Sequence, residues 1–207
     1  MAGELPIFEL PVVLLPGELL PLHIFEERYK RMIAHALDSG DPIGIVFRDE
    51  DRGARNVGCT ARVDDVLERF EDGRMNIVVT GESPFRVLDR SDAPEFPVGE
   101  IELIDIEAEP EPHDAHAARG AREAFAELLR QVSEEERGPE PVGDEESYEL
   151  AGRIELPADT KQRLLELRSE DERMRLLQRA LRTVADAVRR SQEIAEAARG
   201  NGSFPQR

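Results

Sequence analysis

Cysteine is nearly absent: Cys59 stands alone in 207 residues. A lone thiol excludes an internal disulfide, and no Cys or His lies near it at metal-ligand spacing. Lysine is almost as scarce, since Lys30 and Lys161 are the only lysines among 27 basic residues. Neither sits in a G-x-x-x-x-G-K-[ST] loop, whose amides would cradle a triphosphate, so no nucleotide-loop enzyme is expected. Long hydrophobic runs are missing too. Nothing approaches the roughly 20 apolar residues of a membrane span. The opening MAGELPIFEL carries acids early and no basic stretch, unlike a secretory signal. No G-x-S-x-G elbow and no internal repeat occur. The expectation is a cytoplasmic protein with no membrane partner.

What is abundant is acid. The formal charge is −18, which argues against nucleic acid as a partner, because phosphate binding rests on Lys and Arg. The acid-rich surface reads as a solubility device. His113 and His116 lie in a Glu/Pro/Asp-rich stretch without other soft ligands, and His23 and His35 add none, so no metal and no cofactor are expected. Asp64-Asp65 and Glu134–Glu136 read as a bulge and a solvated helix end. Arg52, Arg55, Arg62 and Arg69 read as salt-linked surface. A Ser–Lys pair would have to use Lys30 or Lys161, both of which read as solvated, and a Cys59–His dyad would have to use a residue that reads as small and buried. The chain is therefore expected not to be an enzyme.

The chain divides near residues 107–117. Before that point short β-type runs alternate with Gly, Pro and Asp: Leu5–Leu10, Val12–Leu15, Leu19–Phe25, Pro42–Arg48, Gly58–Phe70, Met75–Thr80, Phe85–Asp89 and Val98–Ile106. Gly81 and Pro84 are expected to break the sixth run from the seventh. The polar stretch 49–56 reads as a loop, Asp64-Asp65 as a bulge and Asp72-Gly73 as a hairpin turn. One helix, Glu26–Ser39, shows an apolar stripe of Tyr29, Met32, Ile33, Ala36 and Leu37, with Gly40 just past its end. After residue 117 the pattern is helical. Spacing predicts helices over Asp114–Glu134, Glu146–Arg153, Ala158–Leu167 and from Ser169 towards Arg199. The first of these carries Ala118, Ala121, Phe125, Leu128, Leu129 and Val132 on one face. Ser169 with Glu172 matches a capping box. The segments 107–116 and 138–146 read as a linker and a loop, and residues 201–207 as a frayed tail. The β region is expected to form a small, partly closed barrel or folded mixed sheet.

The run LPIFELPVVLLPGELLPLHIFEERYKRMI (5–33) resembles the start of the Lon protease N-terminal domain, through Pro11, Leu15, Pro16, Gly17, Pro21, Leu22, Phe25, Glu26, Arg28 and Tyr29. Residues 43–47, 57–89 and 150–166 are similar to later segments of that family, in the same order. Ser83-Pro84 departs from the family pattern and is expected to reshape a loop. The resemblance implies an α+β fold: a PUA-like mixed or antiparallel β-domain of about six strands and a helix (1–107), then a C-terminal helical bundle (108–200) and a disordered tail (201–207). It further implies a stand-alone member without ATPase or protease, binding unfolded or tagged polypeptides. The alternative is a scaffold that docks on a Lon-type protease or forms a homo-oligomer through its long last helix. Phe25, Tyr29 and Leu22 are expected to pack the helix on the sheet, and Glu26 and Arg28 to pair with each other or with backbone.

Overall fold

A computed structural model describes residues 2–92, 95–105, 114–132 and 143–200. Six strands run β1 (Ala2–Leu10), β2 (Leu19–Ile24), β3 (Ile43–Asp49), β4 (Gly53–Arg69), β5 (Met75–Asp92) and β6 (Pro97–Leu103). Helix α1 (Glu27–Ser39) lies between β2 and β3. Helices α2 (Ala115–Val132), α3 (Ser147–Gly152), α4 (Ala158–Glu166) and α5 (Glu170–Gly200) follow the strands.

The sheet order is β2-β5-β4-β3-β1-β6, and β6 pairs back onto β5. Five strands therefore close a ring, and β2 hangs on the outside of β5. β1 and β3 are parallel and the other pairs antiparallel. A parallel pair needs a crossover, supplied here by the β2–α1 segment. Closure in so few strands demands sharp bending, and bulges provide it. The expected one at Asp64-Asp65 is present between Val63 and Asp65. Others lie in β5, opposite Cys59–Ala61 and between Val87 and Asp89.

Three expectations are corrected. Val12–Leu15 is not a strand; Val13, Leu14 and Leu15 are all buried in succession, which an alternating pleat facing one core does not allow. Gly81 and Pro84 do not end a strand. A Cβ on Gly81 would lie 2.2 Å from the Leu15 carbonyl oxygen, so glycine there lets the β1–β2 connection press against β5. Pro84 pairs with Cys59 beside a bulge, where a lost N–H is tolerated. Ser83 is likewise within β5 rather than in a loop, its N–H donating to Thr60 Oγ1 at 3.0 Å. Finally, 49–56 is mostly strand: a tight turn at Glu50–Arg52 hands over to β4 at Gly53 (φ 75°).

The ring interior is filled by Leu5, Ile7, Val46, Phe85, Val87 and Ile101. A second, larger apolar core runs from the outer face of the sheet into the helices, taking in Ile33, Ile45, Ile77, Phe125, Leu164 and Leu177 together. Helix α1 buries the expected Tyr29, Met32, Ile33 and Ala36 and ends at Gly40 with φ 76°. Helix α2 is rolled slightly from its expected stripe: Ala117, Gly120 and Ala124 join Ala121, Phe125 and Leu128 inside, while Val132 is exposed. Glu172 N–H donates to Ser169 Oγ at 3.4 Å at the start of α5. Polar ties fix bundle to barrel. Lys161 donates to Glu18, Gln162 Nε2 to the Val57 carbonyl at 3.1 Å, and Arg168 Nε to the Asp105 carbonyl at 3.2 Å. Residues 107–113 of the expected linker, the greater part of the 138–146 loop, the Glu134–Glu136 run, His113 and the tail 201–207 lie outside the described residues, while Ala115 and His116, also expected in the linker, open α2.

Candidate functional site

The family-like residues flank β2, with Leu15, Pro16 and Gly17 where the chain enters it and Phe25, Glu26, Arg28 and Tyr29 where it leaves for α1. Pro16 and Gly17 occupy the middle of a turn closed by Glu18 N–H to the Leu15 carbonyl at 3.1 Å. Gly17 has φ 77°, the left-handed value a type II turn demands after proline. Glu18 secures the turn twice, accepting from Leu15 N–H at 3.0 Å and from Lys161 on α4. Leu15 is completely buried, while Pro11 is exposed.

From there β2 runs along the open side of β5 with an alternating pattern. Leu20, Leu22 and Ile24 face the core; Leu19, Pro21 and His23 face out. Leu19 is 64% exposed, and Phe25, just past the strand, is 60% exposed. Phe25 therefore does not pack α1 on the sheet as expected. Tyr29 does, buried with its ring 4.1 Å from that of Phe8, and Leu22 lies partly buried against the core. The Phe25 ring instead stacks loosely on His23, at 6.0 Å, and His23 meets Phe70 edge-on at 6.0 Å. Arg74 lies over the Phe70 ring, 5.1 Å from its centroid. Leu67, the extra residue of a β4 bulge in this part of the sheet, is also 60% exposed. A polar row fixes the ring of His23: Asn76 donates to Glu68 at 3.1 Å, leaving its Oδ1 to accept from His23 Nδ1 at 2.7 Å.

The free edge of β2 has a gap in its hydrogen-bonding rail. Gly81 N–H donates to the Glu18 carbonyl at 3.0 Å, so even-numbered residues of β2 point their amides into the ladder and Leu19, Pro21 and His23 point outwards. Proline at the central outward position has no donor to offer.

The groups weighed for catalysis are otherwise engaged. Cys59 has no exposed surface, donates to the Thr60 carbonyl at 3.3 Å, and burial pushes its thiol up to about 12. A thiol held protonated is a poor nucleophile. Lys30 and Lys161, expected to be solvated, are not. Their side chains are 15% and 14% exposed, Lys30 bridging Glu27 (2.9 Å) and the Asp72 carbonyl (3.0 Å), and Lys161 pairing with Glu18. Glu26 and Arg28 pair as expected, at 3.0 Å. Arg52 and Arg55 reach Asp159 on α4, and Arg62 reaches Asp64 and Glu82; Arg69 instead contacts the Met75 sulfur. Among the described residues no group of three His, Cys, Asp or Glu is placed to hold a metal ion, and no helix is long and apolar enough to cross a membrane. Sequence reasoning missed Leu19 and Leu67, and the outward face of Phe25; only the alternation along β2 carried a signal.

The architecture is thus that of an α+β module, a closed mixed barrel with a helical bundle. Two solved structures share it: a Lon N-terminal domain protein from Xanthomonas campestris (TM-score 0.65, 22% identity, 84% of this chain and 96% of that one) and the N-terminal domain of a Mycobacterium avium complex Lon protease (TM-score 0.63, 22%, 86% and 98%). Residues 4–183 match the family model of the ATP-dependent protease La (LON) substrate-binding domain, and the chain belongs to that family. Lon proteases of Paraburkholderia phytofirmans and Anaeromyxobacter dehalogenans are 27% and 28% identical over 94% of the chain. The chain spans about a quarter of the length of those proteases, 26% and 25% respectively.

Proposed function

We propose that this chain is a non-catalytic polypeptide-binding module that takes up apolar segments of unfolded or tagged proteins on the outer face of β2. The observation that carries the reading is the row of Leu19, Pro21 and Phe25, apolar side chains turned to solvent along a strand whose other face, Leu20, Leu22 and Ile24, packs against the core. Because Pro21 interrupts the edge, recognition runs through side chains rather than through addition of a complete strand. Family membership supports a substrate-recognition role. The buried thiol and the two ion-paired lysines support a role without covalent chemistry. Its single, inaccessible cysteine fits work in the cytoplasm.

The test is aggregation suppression with a chemically denatured client, together with peptide-array binding. Leu19→Asp combined with Phe25→Asp is expected to abolish both activities while leaving the thermal midpoint unchanged, since both side chains are already in water. Retention of full capture by that variant refutes the proposed face.

A second reading has one observation behind it. Helix α5 continues past the Gln192–Gln131 contact that marks the end of α2, and it carries Ile194 at 71% exposure. This suits docking on a Lon-type protease or on a second copy of the chain. Light scattering of the wild type and of Ile194→Glu, with co-purification of a Lon ATPase, checks it.

A further inference from the structure

A small cleft of about 140 Å³ opens between the start of α1 and the strands β1, β3, β5 and β6. Three arginines from distant parts of the chain line it: Arg28, Arg48 and Arg90. The one carboxylate in its wall, Glu9, is mostly buried and is shared, Arg48 binding it through both Nε (2.8 Å) and Nη2, with Arg90 Nε 3.9 Å away. Arg90 is held in place by Asn56 Oδ1 at 3.0 Å and the Arg55 carbonyl. Arg28 spends its Nε and Nη2 on Glu26 and lies 4.4 Å over the Tyr29 ring. Each of Arg28 and Arg48 therefore has a second terminal nitrogen, Nη1, without a partner among the described residues. Tyr29, which also lines the cleft, makes no hydrogen bond through its hydroxyl to any described residue. Counting Glu26, three guanidiniums face two carboxylates, a local excess of positive charge on a chain of formal charge −18. Planar forks with unused donors around a pocket the size of one functional group are what a carboxylate requires.

We propose that this cleft binds a carboxylate of a captured polypeptide, seated between Arg28 and Arg48 with the Tyr29 hydroxyl as a further donor. Arg28 follows Phe25 by three residues, so their Cα atoms lie within roughly 11 Å of each other. The combined surface reads an apolar segment next to an acid. That use of the cleft rests on the polypeptide-binding reading above, whereas the anion site stands on its own geometry.

Three fluorescent peptides with the same apolar segment separate the possibilities in anisotropy titrations against the full chain at low salt: one with a free C-terminal carboxylate, one amidated, and one amidated with an internal aspartate. The free carboxylate is expected to bind about tenfold more tightly than the plain amide, the loss of one charge-assisted contact. Arg48→Gln, and separately Arg28→Gln, are expected to erase that difference without weakening the amide. Equal binding of the aspartate peptide and the carboxylate peptide assigns the anion to acidic side chains, and weaker binding assigns it to the chain terminus; either supports the cleft. Equal binding of all three peptides overturns it. If no peptide binds, the apolar-face reading fails, and the cleft is then judged by NMR titration with acetate. Shifts at Tyr29 and Ser91 in the wild type that vanish in Arg48→Gln sustain it, and their absence in the wild type overturns it.

Discussion

Phe85 in the barrel and Arg173 in the bundle are both enclosed, one at 0% and the other at 2% exposure, yet they organise their surroundings by opposite means. Phe85 fills the ring by bare contact. A Cβ on Gly44 or Gly58 would come within 2.8 or 2.9 Å of its Cζ, so two strands thin themselves to glycine around one ring. Arg173 works by hydrogen bonds. Its guanidinium donates to Ser147 Oγ (3.0 Å), to Glu170 (2.8 Å) and to the carbonyls of Leu167 and Arg168 (2.9 Å each), with the Tyr148 ring 4.7 Å away. One side chain thereby ties α3, the α4–α5 joint and the first turn of α5. The barrel is specified by shape and the bundle by a satisfied buried cation. The first tolerates no added volume, and the second tolerates no missing partner.

The largest expected effect tests the barrel. Gly58→Ala would put a methyl 2.3 Å from the Ile45 carbonyl oxygen, and backbone cannot step aside as a side chain can. A loss of about 3 kcal/mol in urea unfolding is expected. A loss below about 1 kcal/mol would mean that the ring flexes and that the contrast is misplaced. Next comes the bundle. Arg173→Met keeps much of the volume but strands Ser147 and Glu170; because Glu170 is partly open to water, we expect about 2 kcal/mol rather than the full penalty of a sealed ion pair. Adding Glu170→Leu should recover part of it, which a purely steric role for Arg173 would not allow.

The smallest effect concerns surface ion pairs, one closing the bundle and one at the start of α1. The Arg175 guanidinium, 2.6 Å from Asp114, holds that carboxyl below its ordinary value, helped by the Ala117 and His116 amides; Lys30 does the same for Glu27. A carboxyl whose folded value is depressed stabilises the fold above its unfolded value, near 3.9 for Asp, and that contribution is lost as pH falls through the lower folded value. The thermal midpoint should therefore fall below about pH 4, and less steeply in Asp114→Asn than in the wild type. Identical slopes in the two proteins would remove this pair from the ledger of bundle contacts.

Much of this contrast can be traced to how far apart in the chain the partners lie. Helix α1, its end at Gly40, the turn at Asp72-Gly73 and the bulge at Asp64-Asp65 are local, and their residues announce them. The same is true of the entry to β2: Pro16-Gly17 forms the turn its dipeptide demands. Gly81 and Pro84 misled because their acceptability depends on remote chain, the Leu15 carbonyl in one case and the bulge beside Cys59 in the other. Lys30 and Lys161 read as free because their acceptors, the Asp72 carbonyl and Glu18, lie 42 and 143 residues away. Phe25 read as core since an aromatic ahead of an amphipathic helix commonly staples it; here Tyr29 and Phe8 already fill that space. The arginine cleft had no legible trace, because Arg28, Arg48 and Arg90 meet only after β3 and β6 have flanked β1.

The gap at Pro21 bears on how such a molecule survives crowding. A protein that displays greasy side chains along an outer strand risks meeting its own twins there, since like copies can zip together amide to carbonyl into growing ribbons. With one rung left out of that zipper, identical neighbours find no continuous seam. Restoring the rung with valine should make the protein precipitate as its concentration rises.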